Sequence, residues 1–225
     1  MTRPGTGNRE AGTGTSDPHA GQPVLREGPA AADARLAVIL VHGRNGSPQS
    51  MLDLAARLPF DDVAYLAPAA AGKTWYPLSF LAPIEQNEPG ITSGLGMLAR
   101  LVEELASQGV PASRVALMGF SQGGCLALEF AARHARRYAA VVGLSGGLIG
   151  PPGTPRDYSG SFEQTPVFLG CSDVDSHIPL ARVHETTEVL RRMSAVVDER
   201  IYPQMGHTVT REELDVVTGL LGAQT

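Results

Sequence analysis

The feature that most constrains this chain is a recurrence. Short, continuously apolar runs alternate with segments whose apolar residues repeat at helical spacing. The runs fall at 36–41 (LAVILV), 63–67, 115–120 (VALMGF), 139–144, 166–170 and, less purely, 199–202. Between them, Leu95, Leu98, Leu101, Val102 and Leu105 share one helical face, and 50–58, 122–136, 180–195 and 211–221 also read as helices. A strand apolar at every position must be buried on both faces, and strands separated by helices pair in parallel. The pattern therefore predicts an α/β chain with a mostly parallel sheet covered by helices on both sides. Sites in such sheets form at the carboxyl ends of the strands. A short apolar stretch at 23–25 predicts an additional edge strand.

Residues 1–21 are rich in Gly, Thr and Pro and carry no apolar period, so they cannot bury enough surface to offset chain entropy. A disordered tail over 1–21 and one catalytic domain over 22–225 are expected. Of the 225 residues, 43% are hydrophobic, enough for one substantial core. The net charge of −5 provides no basic field for nucleic acid or an anionic membrane surface. No segment approaches a membrane-spanning length, and the start has charges and glycines where a secretory signal needs an apolar core. The expected setting is cytoplasmic, without membrane insertion, and Cys125 and Cys171 are expected to be free thiols. Two connections, 68–91 and 146–165, are long for a compact domain, and long ordered loops are often functional. The first holds Trp75, Tyr76 and Phe80, which are expected to bind substrate as an apolar wall beside the site, the alternative being that they fill core.

Gly119-Phe120-Ser121-Gln122-Gly123 matches G-x-S-x-G, with an apolar strand before it and a helix after it. The glycines allow a sharp turn that exposes the serine hydroxyl at a helix N-terminus, where N–H groups favour the negative charge of acyl transfer. Such a serine needs a base, and His207, between the last strand and the last helix, occupies the final place in the order Ser, Asp, His. The orienting acid belongs after the run at 166–170, where Asp173 and Asp175 compete; position alone does not separate them. For the oxyanion hole, one main-chain N–H falls to Gln122, after the serine, and the other to Arg44, in His42-Gly43-Arg44-Asn45-Gly46.

Together VHGRNGS, GFSQGG, DSHIP and MGHTV resemble the phospholipase/carboxylesterase group of α/β-hydrolases, which includes acyl-protein thioesterases and small bacterial carboxylesterases. The resemblance runs from about 36 to 221. It implies the α/β-hydrolase fold with no large cap domain, and it places the nucleophile on Ser121, the acid on Asp175 rather than Asp173, and the base on His207. It further implies no cofactor or metal, a homodimer in many members, and a small-molecule ester or thioester substrate of short to medium acyl chain, lysophospholipids included. Residues 72–80 (GKTWYPLSF) and Arg44-Asn45 depart from the acyl-protein thioesterases and look closer to bacterial carboxylesterases of the same group.

Three rival readings remain in the residues. A dienelactone-hydrolase-like enzyme would act on cyclic esters, but that related group uses a cysteine where Ser121 stands. A binding protein could keep the fold without catalysis, though every catalytic residue type is present. A metal site could use Asp173, Asp175, His177 and His184, though their spacing matches no familiar zinc motif.

Overall fold

The computed structural model describes residues 17–224. Seven strands form one sheet: β1 (Val24–Glu27), β2 (Leu36–Val41), β3 (Val63–Pro68), β4 (Val115–Phe120), β5 (Ala140–Leu144), β6 (Pro166–Ser172) and β7 (Val196–Tyr202). Their order across the sheet is β1-β3-β2-β4-β5-β6-β7; β1 runs antiparallel to β3, and all other pairs are parallel. Five helices connect them: α1 (Pro48–Ala55), α2 (Gly90–Ser107), α3 (Gln122–Arg133), α4 (Leu180–Arg192) and α5 (Arg211–Gly222).

The two faces of β2 account for the continuous apolar runs. Successive side chains on a strand point to opposite faces. Ala37, Ile39 and Val41 enter one core with residues of α2, α3 and α4, whereas Leu36, Val38 and Leu40 enter the other with Met51 and Leu52 of α1 and Leu214 and Val217 of α5. Every position of β2 is thus buried. At the opposite edge, β7 alternates between exposed and half-buried residues, and its Asp198, Glu199 and Arg200 interrupt any apolar run. The strand accordingly begins at Val196, three residues before the sequence pattern placed it.

The expected N-terminal tail needs a correction at its inner end. Residues 1–16 lie outside the described residues, but 17–21 form a turn packed on the domain. His19 is buried there: its main-chain N–H donates to Ser93 Oγ at 2.9 Å, its Nδ1 accepts the Ala71 N–H at 3.1 Å, and its Nε2 bonds the Trp75 carbonyl at 3.0 Å. The ordered domain therefore begins before residue 22.

Both long connections are fastened to the body. Gly90 lets the 68–91 segment lie on the start of α2, since a Cβ there would stand 2.6 Å from the Trp75 carbonyl oxygen. The 146–165 segment is held by Arg182, whose Nη1 donates to the carbonyls of Leu148 (2.6 Å) and Gly150 (2.7 Å).

Candidate active site

The loops that leave the carboxyl ends of β4, β6 and β7 bring Ser121, Asp175 and His207 together. Ser121 sits between β4 and α3 at φ 55° and ψ −122°, a conformation that costs a non-glycine residue energy and persists only where its surroundings enforce it. The flanking glycines are the enforcement. A Cβ on Gly119 would lie 2.2 Å from the Gly123 carbonyl oxygen, and one on Gly123 would lie 2.1 Å from that of Val41. No other residue type fits this close a crossing of β2, β4 and α3.

The Ser121 hydroxyl lies 2.8 Å from His207 Nε2, and His207 Nδ1 lies 2.7 Å from Asp175 Oδ2. A carboxylate can only accept, so Nδ1 carries the ring proton and Nε2 is left to accept from the serine. The Asp175 side chain is fully shielded from solvent. Burial raises its pKa, but the hydrogen bond from His207 and those from the N–H groups of His177 (2.8 Å) and Ile178 (3.0 Å) outweigh it and hold the carboxyl below its usual range. The group facing His207 is therefore an anion at neutral pH.

Asp173, the competing carboxylate, makes no hydrogen bond to the imidazole. Its Oδ1 accepts the Gln204 N–H at 2.8 Å, while buried Ser172 accepts the Gly206 N–H at 3.1 Å. These two residues tie the loop bearing His207 to the end of β6. Their partners escaped sequence reading because each bonds a main-chain group of a segment about thirty residues distant. Of the remaining metal-ligand types, His184 pairs with Glu199 at 2.8 Å, and among the described residues no group of three or more His, Cys, Asp or Glu converges.

The loop 42–46 lies against Ser121, because a Cβ on Gly43 would stand only 3.2 Å from the serine Cβ. His42 anchors this loop from within the core. Its Nε2 accepts the Ala70 N–H at 3.1 Å, so its Nδ1 donates to the Gly43 carbonyl at 2.8 Å, and burial pushes its pKa below the ordinary value. The main-chain N–H groups of Arg44 and Gln122 have no protein acceptor among the described residues. Both residues also do something their sequence positions did not suggest. The Gln122 side chain accepts the Trp75 N–H at 2.9 Å and donates to the Tyr76 carbonyl at 2.8 Å. The Arg44 guanidinium donates to the carbonyls of Tyr76 (3.0 Å), Pro77 (2.9 Å) and Leu78 (2.6 Å).

A cleft of about 430 Å³ opens over the serine. Tyr76, Leu78 and Phe80 line one part, and His177, Ile178 and His207 line another. Trp75 is absent from it, which corrects the expectation that the tryptophan walls the site. It is wholly buried; its Nε1–H donates to the His42 carbonyl at 2.8 Å, and its ring lies 5.1 Å from that of His42. The alternation of aromatics with prolines in 72–80 could not show which rings turn inward.

Comparison with known proteins agrees with this architecture. The family model for phospholipase/carboxylesterase matches residues 28–223. The crystal structure of a phospholipase/carboxylesterase from Dyadobacter fermentans superposes with a TM-score of 0.86 at 38% identity, covering 89% of this chain and 96% of that one. Esterase PE8 superposes with a TM-score of 0.72 at 25% identity over 91% of this chain and 98% of its own. Acyl-protein thioesterase 1 of Gibberella zeae is 27% identical over 222 residues, or 87% of this chain and 93% of that protein. With its mostly parallel sheet and this coverage, the chain belongs to the phospholipase/carboxylesterase family and is a hydrolase of the esterase type.

Proposed function

We propose that the protein hydrolyses carboxylic esters of short to medium acyl chain through an acyl-enzyme on Ser121. The observation that carries this reading is the hydrogen-bonded sequence Ser121 Oγ, His207 and Asp175, with separations of 2.8 and 2.7 Å. His207 takes the serine proton as Oγ attacks the ester carbonyl, and Asp175 stabilises the imidazolium that forms. The oxyanion accepts from the N–H groups of Arg44 and Gln122, the latter at the positive end of α3. Collapse of the intermediate passes the proton from His207 to the leaving alcohol and leaves the acyl group on Ser121. Water, deprotonated by the same imidazole, then releases the acid and restores the serine.

Tyr76 and Phe80 contribute apolar wall to the cleft, and neither belongs to a separate cap. Thioesters are the second substrate class, favoured by the likeness to acyl-protein thioesterase 1. The site uses no metal or cofactor in this reaction, and the domain that carries it includes residues 17–21. The test is turnover of p-nitrophenyl esters and matched acyl thioesters of increasing chain length by the wild type and Ser121→Ala. The reading requires hydrolysis of short and medium esters, lost by about four to six powers of ten in the variant. Undiminished hydrolysis by Ser121→Ala would overturn it.

A further inference from the structure

The cleft over Ser121 is unusual in its charge. The chain carries a net charge of −5, yet no Asp or Glu lines the cleft. Asp175 bonds His207 Nδ1 at 2.7 Å and its side chain is shielded from solvent. The ionisable side chains at its wall are those of Arg44, His177 and His207, together with Tyr76 and the buried thiol of Cys125. Arg44 is a permanent cation with no carboxylate within ion-pair distance among the described residues. Three of its N–H bonds hold carbonyls of the cleft wall, and the other two of a guanidinium's five donors have no protein acceptor among the described residues. A fixed arginine with donors to spare, in a cleft without acids, is suited to an anion.

We propose that the preferred substrates carry a second, ionised carboxylate on the acyl part, and that Arg44 is the residue that binds it. The proposal rests on the serine esterase reading and specifies its substrate class. The acyl part is favoured by the layout of the site. The leaving oxygen must face His207, whose ring neighbours are His177 at 4.6 Å and Phe120 at 5.1 Å, whereas the Arg44 guanidinium is bonded to the 76–78 segment. In the proposed pose the far carboxylate of a short acyl chain bonds the Arg44 guanidinium while the ester carbonyl stays at Ser121, both residues lining the same cleft. Arg44 would then serve twice, through its main-chain N–H at the oxyanion and through its side chain at the distant charge.

The experiment compares monoethyl glutarate with ethyl valerate, in which a methyl group replaces the carboxylate. Expected is a kcat/KM ratio of about tenfold or more in favour of the glutarate ester, expressed mainly in KM. Arg44→Gln should bring this ratio close to one, and Arg44→Lys should retain part of it. Because Arg44 also fastens the cleft wall, only the ratio within each variant is read. A structural clamp alone would lower both substrates equally and leave the ratio where the wild type has it, which overturns the proposal. A wild-type ratio of one or less overturns it as well. Calorimetric titration of the Ser121→Ala protein with the same two esters separates this inference from the catalytic reading, because it needs no turnover. Tighter binding of monoethyl glutarate, weakened when Arg44→Gln is added, supports the anion site even if Ser121 proves not to be the nucleophile. Equal binding of the two esters refutes it.

Discussion

At the scale of single residues, the choice between two neighbouring carboxylates has measurable consequences. Asp175→Asn leaves an amide facing His207, which no longer favours the tautomer with Nε2 free, so kcat should fall by roughly 10⁴. Asp173→Asn keeps an amide oxygen that can accept the Gln204 N–H and loses only the charge on that acceptor, so it should cost far less in kcat and lower Tm only slightly. Steady-state kinetics and melting curves of the two variants check this, and a larger kinetic loss at Asp173 contradicts the assignment. His42 supplies a pH-dependent counterpart. Its pKa lies below 6.5 in the folded protein, so the unfolded chain binds the proton more readily. The stability it contributes is present above about pH 6.5 and is lost as pH falls below it. His134 has the same sign, so the quantity to measure is a difference. Between about pH 7 and 5, Tm should fall less steeply in His42→Gln than in the wild type. Sequence reading reached Ser121 and His207 through their turn chemistry and chain order, and it separated Asp175 from Asp173 only through family resemblance. Ser172 and the clamping side chains of Arg44 and Gln122 were not legible, because their partners are main-chain groups that only the folded chain brings near.

At the scale of elements, the strand, turn and helix around Ser121 depend on two glycines with no space for a methyl group. Gly123→Ala would place a Cβ 2.1 Å from the Val41 carbonyl oxygen, so β2 and α3 would have to separate. A loss of folded protein, or a Tm lower by many degrees, is expected from thermal unfolding, and an unperturbed Tm would contradict the packing described. The 68–91 connection gives a different test. Trp75 fills core behind the 42–46 loop, so Trp75→Ala should destabilise the fold by about 3–5 kcal/mol. Esters of all chain lengths should lose activity by similar factors, and a change in chain-length preference at unchanged Tm would return Trp75 to the cleft wall. The strands buried on both faces were legible almost to the residue, since each must be apolar throughout. Edge strand β7 was legible only in its last part, because one solvated side tolerates Asp198 and Arg200.

At the scale of the whole molecule, the candidate site stands at the carboxyl ends of the strands, and residues 17–21 pack onto the 68–91 segment, part of which lines that site. His19 bonds both Ala71 and Trp75, so this turn belongs to the support of the site although it precedes the region matched by the family model. Removing residues 1–21 should therefore lower Tm by more than removing 1–16, as read by scanning calorimetry; equal effects would contradict this. Its Gly, Thr and Pro content made this segment read as tail, because a single buried histidine has no periodicity to betray it. The central claim, that one serine among many is an activated nucleophile, has a direct test in the wild-type protein treated with a fluorophosphonate and analysed by intact-mass and peptide mass spectrometry. The predicted result is a single adduct on the peptide at Ser121, absent from Ser121→Ala and strongly slowed in His207→Ala. An adduct on another residue, or labelling of Ser121→Ala at the wild-type rate, would contradict the account.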